Sequence, residues 1–439
     1  MPNWFKETHL ASGAMNKDAQ LVIIDGVRTP FCKMGTDLAG VDAVEIGRQA
    51  VAALLTRTGI DPAIIDEVII GNVSQPADAA NIARVIALRA GIPKSVPAYS
   101  VHRNCASGME ALTTAACKAA AGQGEIFVVG GVENMSRTPL LFHHSTAKKF
   151  AKLARAKTMG AKLGVIAGFR PKDFSPVIGL KLGLTDPVAG LNMGETAEVL
   201  AREFDISREE QDTYAMNSHL KAAANRENLA EEITPAYAES AKDGHALIDN
   251  GVREGQNMKA LGKLRPVFEK TTGTVTAGNS SQITDGGGAM LVMTEKKADE
   301  LKMEPIGKLI DFHYSGCEPE RMGVGPAYAI AEVAKRQDFL PEKADVIEIN
   351  EAFAAQVIAV QRLFEKKEFC NGSGSLGSIP DELLNPNGGA IALGHPVGAT
   401  GTRLVITTLK ELKRRNGKRG YASLCIGGGQ GGAVLLERP

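Results

Sequence analysis

Two thiols, an imidazole and an amide stand in surroundings suited to covalent chemistry on a carbonyl. Cys105, in HRNCASGMEALTTAACKAAAG, directly precedes a long Ala-rich helical stretch. Free amides and the dipole at a helix N-terminus favour an anion, so a thiol there can ionise below its usual pKa of about 8.5. Small residues after it leave room for a carbonyl to reach bare backbone. A nucleophile needs a base, and NPNGGAIALGHPVGATGTRL supplies His395, gripped between Gly394 and Pro396 ahead of a second helical stretch. A histidine so held suits a positioned acid or base better than one on an apolar face.

The glycines of that stretch (388, 389, 394, 398 and 401) could cradle a phosphate, although without G-K-[ST] it is no P-loop. Cys425 ends the strand-like run YASLC and opens on glycines, placing a thiol beside amides that could form an oxyanion hole. Gly427, Gly429 and Gly432 fit G-x-G-x-x-G, but the following AVLLE reads as a strand where a dinucleotide fold needs a helix. Asn350 and Glu351 lie between an apolar strand and a helix; Asn350 can serve as an N-cap or hold a water or substrate oxygen. The remaining cysteines, Cys32, Cys117, Cys317 and Cys370, form no C-x-x-C or zinc spacing and read as reduced small hydrophobes.

Such groups need a frame. Strand-like runs at Leu21–Asp25, Val68–Gly71, Ile126–Gly130, Val346–Ile349 and Tyr421–Ile426 alternate with Ala-rich helices, an α/β pattern. The two ends read as variants of one unit. Helix VEIGRQAVAALLTRTG leads to strand EVIIGN in the first half, and AYAIAEVAKRQ leads to DVIEIN in the second. A loop entering a helix follows in each, and setting Gly108 against Gly401 puts Cys105 opposite Gly398. Apolar strands opening into glycines, EIFVVGG and YASLCIGGG, complete the match. Between the halves the pattern is looser, with helices expected at Met193–Glu203 and Ser207–Glu227, the second opened by a Ser207/Glu210 capping box.

A chain of 439 residues suits two or three domains, and its formal net charge of zero argues against a general nucleic-acid binder. No secretory or import signal, membrane-length apolar run or lipidation address is evident, so a cytosolic protein is expected. One segment departs from neutrality: between Asn134 and Lys172 stand nine Lys/Arg and no Asp/Glu. Its KKFAKLARAKTMGAKLG reads as one basic amphipathic helix.

Taken together, NCASGMEA (104–111), GTVTAGNSSQITDGGGA (273–289), NEAFAAQ (350–356), GGAIALGHPVGATG (388–401) and CIGGGQGG (425–432) resemble the thiolase family, in its order and over nearly the whole chain. The resemblance implies two duplicated α/β halves layered α-β-α-β-α, with an inserted, mostly helical loop domain. The first half would span 17–134 and 284–303, the loop domain 135–283 with its basic insertion 137–172, and the second half 304–439. It implies thiolytic cleavage of a 3-ketoacyl-CoA to acyl-CoA and acetyl-CoA, as in fatty-acid β-oxidation. Coenzyme A is then a substrate, with no metal or redox cofactor. Cys105 would be acylated, His395 would take its proton, and Cys425 would act as second acid/base. Asn350 would hold a water completing an oxyanion site with His395, while the amides of Cys105 and Gly427 would form a second. Ser281 and Ala277 would meet the pantetheine, and Met193 would line its tunnel.

Alternatives within this resemblance are an acetoacetyl-CoA thiolase, which some members of the family are, and a non-catalytic acyl-CoA or lipid binder. Asn192 departs from the histidine of some short-chain biosynthetic members. Longer segments near 140–180 and Arg362–Leu384 resemble the thiolase subunit of the β-oxidation trifunctional complex, although such subunits usually carry His at the place of Asn350. A homodimer or dimer of dimers is implied. The basic segment could assist CoA phosphates, or dock a β-oxidation dehydrogenase or an anionic membrane surface.

Overall fold

The computed structural model describes residues 20–366, 369 and 375–439; the N-terminal stretch and Cys370 lie outside them. Among the described residues the main sheet has ten strands. They are β1 (Leu21–Arg28), β2 (Cys32–Lys33), β3 (Glu67–Gly71), β4 (Ala98–Val101), β5 (Ile126–Asn134), β6 (Thr284–Thr294), β7 (Gly307–Gly316), β8 (Val346–Ile349), β9 (Arg419–Ile426) and β10 (Gln430–Glu437). In space they run β8-β9-β10-β7-β1-β6-β5-β3-β4, with β2 beside β6.

That order is a palindrome about the β7/β1 contact. Reading outward, β1-β6-β5-β3 mirrors β7-β10-β9-β8, and in each set only the last pair is parallel. Among the described residues the strands of the two half-sheets pair only where Val22 and Ile23 stand against Lys308 and Gly307. Strand register makes the duplication concrete. Val68 faces Val128 in the first half as Val346 faces Gly420 in the second. Five residues further along each strand stand Glu133 and Cys425.

Helices α1 (Ala43–Thr58) and α2 (Ile82–Arg89) cover the outer face of the first half-sheet, and α4 (Gly325–Gln337) with α5 (Ala354–Glu365) cover that of the second. Between the sheets lie α3 (Ser107–Ala120) and α6 (Val397–Arg415), so the layers run α-β-α-β-α. Being buried from both sides, these two helices must be narrow where they cross. A Cβ built on Gly108 would lie 2.8 Å from the Gly398 carbonyl, and one on Gly401 would strike the Met109 amide. Each of the two glycines that align in sequence therefore touches the other's helix, and the small residues of α3 are what close packing of a middle layer demands.

The sequence missed β6 entirely. Its opening TDGGG has no strand propensity, yet all of β6 is buried, and tertiary packing overrides the local signal. The helix expected at Ser207–Glu227 instead spans Arg208–Ala224, and Arg226–Ala230 forms a separate short turn after Asn225. Its capping box is present, Ser207 accepting from the Glu210 amide. The expected single basic helix is also two, His144–Arg155 and Met159–Ala167, because Ala156 leaves helical geometry and Thr158 starts the second by accepting from the Ala161 amide. Phe142, Phe150, Phe169 and Phe174 cluster beneath them. The looser middle region is pinned to the first half by buried Arg28, which bonds Glu232 and Asp249, each at 2.7 Å. Among the described residues no helix is long and apolar enough to cross a membrane.

Candidate active site

The turn before α3 meets the loop after β9, and the start of α3 packs against the first turns of α6. Cys105 sits two residues before α3, on a turn whose Asn104 adopts φ +44°. Asn tolerates this left-handed geometry better than most residues, and its side chain uses it, donating to the Gly427 carbonyl at 2.7 Å. The loop after β9 is thereby tied to the turn that carries Cys105. The backbone N–H groups of Gly427 and of Cys105 itself reach the Cys105 thiol and favour its anion. Although Cys105 keeps part of its surface exposed, burial outweighs these amides and pushes its pKa up to about 11. The lowered pKa expected from the helix terminus is therefore reversed by desolvation.

Cys425 lies at the end of β9, fully buried, its thiol raised by burial first and by the nearby Cys105 second. It packs with Ala352, Phe353 and Val275, against which Met193 and Phe268 also rest. A Cβ built on Gly427 would lie 3.5 Å from the Met193 sulfur, which brings Met193 to the same loop. Asn192, one residue before, is spent as helix cap: its side chain accepts from the Gly194 amide while Glu195 reaches back to its own N–H.

Asn350 follows β8 and its backbone N–H donates to the Ser423 carbonyl at 2.9 Å, which fixes it alongside β9. Both of its side-chain polar atoms are buried and bond no protein atom. It is not the N-cap of α5, which begins at Ala354. Glu351 behaves oppositely. Its oxygens accept from Tyr214 Oη, Asn385 Nδ2, Ser218 Oγ and the Ile391 amide, binding three segments together.

His395 is 8% exposed, and its backbone N–H donates to the Gln282 carbonyl. Its Nδ1 lies 2.7 Å from Thr400 Oγ1, whose own proton goes to the Pro396 carbonyl at 3.0 Å. Thr400 must then accept, so Nδ1 carries the ring proton and Nε2 keeps its lone pair. Nε2 is buried and bonds no protein atom. Burial, with Arg403 behind it, lowers the imidazole to about 3, so it is neutral at working pH. A neutral ring with a free Nε2 is a proton acceptor.

The glycines expected to cradle a phosphate do not. A Cβ on Gly388, Gly389, Gly394, Gly398 or Gly401 would meet Ser218, Glu351, Thr284, Val132 and Met109 respectively, so they allow segments of protein to touch. Ser281 is half-buried and donates its amide to the Ala352 carbonyl at 2.9 Å, next to the Asn350 loop. Ala277 is exposed on the turn before it. Asn104, Thr400 and Gln282 escaped the sequence reading; only an Asn directly before Cys105 offered a signal.

The thiolase N-terminal domain model matches residues 21–296 and the thiolase C-terminal domain model residues 303–438. The chain is 38% identical over 425 residues to a 3-ketoacyl-CoA thiolase of Pectobacterium atrosepticum, covering 95% of this chain and 96% of that protein. It is 39% identical over 423 residues to a probable acetyl-CoA acyltransferase of Staphylococcus aureus, covering 95% and 99%. Among solved structures, the acetyl-CoA acetyltransferase of Bacillus anthracis superposes with TM-score 0.84 at 35% identity, over 98% of this chain and 100% of that one. Human mitochondrial 3-ketoacyl-CoA thiolase in complex with CoA superposes with TM-score 0.82 at 34% identity, over 96% and 99%. The chain belongs to the thiolase family. It is an acyltransferase enzyme.

Proposed function

We propose that the enzyme cleaves 3-ketoacyl-CoA with CoA, giving an acyl-CoA shortened by the two carbons released as acetyl-CoA. The observation that carries this reading is the half-buried Cys105 thiol lying beside the buried Cys425 thiol, in a chain whose His395 keeps a buried, unbonded Nε2. His395 Nε2 takes the Cys105 proton as sulfur attacks the 3-keto carbon. The bond between C2 and C3 breaks, leaving the acyl group on Cys105. The departing acetyl-CoA carbanion takes the Cys425 proton. In the second half-reaction Cys425, now a thiolate, deprotonates incoming CoA, whose sulfur attacks the acyl-enzyme and expels Cys105, which takes back the proton held on His395. Charge develops on two different oxygens, which calls for two donor sets: Asn350 with His395, through a water, and the amides of Cys105 and Gly427. Met193, Ser281 and Ala277 would guide the pantetheine arm, a role supported by Met193 resting against the Gly427 loop. Fatty-acid degradation in the cytoplasm by a homodimer is the setting this reading favours. Mass spectrometry after mixing with 3-ketoacyl-CoA tests it: wild type should gain one acyl group, and Cys105→Ala none. An unmodified wild-type enzyme would favour the non-catalytic acyl-CoA binder, and turnover confined to acetoacetyl-CoA would favour the short-chain thiolase.

We infer a docking role for the basic segment, with an anionic lipid surface as occupant. Leu140, Met159, Leu163, Ile166, Phe174 and Ile178 are 52–71% exposed there, beside exposed Lys148, Lys152, Lys157 and Lys162. Apolar side chains presented among lysines suit a membrane interface. Lys149 takes no part, since it is held by Asp173 at 2.6 Å and by the Gly168 carbonyl.

A further inference from the structure

Glu133 is the first-half counterpart of Cys425, and Gly398 is the second-half counterpart of Cys105. The two meet: the Gly398 N–H donates to Glu133 Oε2 at 3.0 Å. Where Cys425 of the second half meets Cys105 of the first, the mirror-related place holds a buried carboxyl group, Glu133, against Gly398. Glu133 is fully buried. Its other partners are the Val73 amide at 3.1 Å, the Ser74 amide at 2.9 Å and Asn72 Nδ2 at 3.2 Å.

Gly398 belongs to the first turn of α6, the turn that orients the proposed base. A Cβ on Gly398 would lie 2.5 Å from the Val132 carbonyl, and one on Gly131 would strike the Gly398 carbonyl. The turn is thus pressed onto the end of β5, with Glu133 binding its amide. Two residues on, Thr400 holds His395 Nδ1. Pro396 packs over Gly286, which pairs with Glu133 across β6. A continuous path runs from Glu133 through Gly398 and Thr400 to the imidazole.

We propose that Glu133 is a positioning residue for His395: it fixes the first turn of α6 so that Thr400 presents Nε2 to the reacting thiol. This rests on the reading of His395 as the base. A carboxylate bound by three amides and a side-chain amide, at a helix N-terminus, is held where an apolar residue would leave those donors unpaired. Misplacing a catalytic group by about 1 Å costs on the order of 10²-fold in rate. Substrate binding, made by other segments, should be spared.

The test compares E133A, E133Q and T400V in the full-length enzyme, with KM, kcat and thermal midpoint measured for each. E133A should lose kcat on the order of 10²-fold with KM within about twofold. E133Q, which restores one acceptor, should recover part of that loss. T400V should show the same split, and E133A/T400V should be no slower than the worse single variant, because both act through His395. Folded E133A with wild-type kcat, a loss confined to KM, an E133Q no better than E133A, or fully multiplicative losses would overturn the proposal. Should E133A not fold, E133Q and T400V carry the test, and wild-type kcat in either overturns it. His395→Ala is measured alongside: if it turns over at the wild-type rate, the reading of the base fails, whatever Glu133 does.

Discussion

Asn350 stands in the second half where Asn72 stands in the first, each directly after the strand that pairs in parallel with its neighbour, but the side-chain nitrogen is bonded only in Asn72, the side-chain oxygen in neither. Asn72 donates to the Val132 carbonyl at 2.9 Å and to Glu133 at 3.2 Å, whereas neither side-chain atom of Asn350 bonds the protein. The duplication supplies its own control: the same residue at the same place is structural in one half and bare in the other. Asn350→Ala should therefore lower kcat by about 10²–10³-fold, the range for removing one donor to a developing oxyanion. It should leave the thermal midpoint unchanged or raise it, since the buried amide is uncompensated. A falling midpoint with preserved kcat would make Asn350 structural after all.

Cys425→Ala should separate the two half-reactions. The Gly427 amide still reaches Cys105 and His395 is untouched, so alkylation of Cys105 by iodoacetamide should continue near the wild-type rate. Turnover should fall by at least about 10²-fold, the contribution of a positioned general acid or base. If alkylation collapses as well, Cys425 acts through Cys105 and not on substrate.

Much of this was legible because motif residues carry their own chemistry. Cys105, His395 and Cys425 could be picked out by glycines and helix starts around them, and the palindromic sheet agrees with the two-unit reading. What failed was anything set by depth. Whether the Cys105 thiol is lowered by a helix terminus or raised by burial depends on a layer of helices between two sheets, which no local pattern reveals. The glycines of 388–401 looked open and are packed. Glu133 was invisible because its partners, at 72–74 and 398, are distant in sequence.

The acid–base state of the site has a measurable signature. With His395 held near 3 and Cys105 near 11, the resting pair is thiol and neutral imidazole. The rate of Cys105 alkylation should keep rising with pH beyond the ordinary thiol value of about 8.5. A plateau near neutrality would reveal a thiolate–imidazolium pair. The imidazole shift also bears on stability. Its folded pKa is depressed, so the contribution is present above the unfolded value of 6.5 and is lost as pH falls toward about 3. Urea midpoints of His395→Asn should decline less steeply than wild type between about pH 6 and pH 4.

The exposed basic segment should bind anionic vesicles in a salt-sensitive way, with each lysine near the surface adding about 1 kcal/mol. Lys148, Lys152 and Lys162 changed together to Glu should abolish co-sedimentation with phosphatidylglycerol vesicles while kcat is kept. Replacing exposed Met159, Leu163 and Ile166 by Ser should weaken it equally. Wild type that stays in the supernatant at low salt removes the lipid surface as occupant.

Glu351 is adjacent to Asn350 and should give the opposite result. Its carboxylate accepts four hydrogen bonds from Tyr214, Ser218, Asn385 and Ile391, all but one from side chains of other segments. Glu351→Ala leaves these donors unpaired at about 1–3 kcal/mol each, less what relaxation recovers. The thermal midpoint should fall by several degrees or more, and activity lost at high temperature should return on cooling, because the residue touches no reacting atom. Were kcat to drop at a temperature where the variant is fully folded, Glu351 would belong with Asn350 in the chemistry.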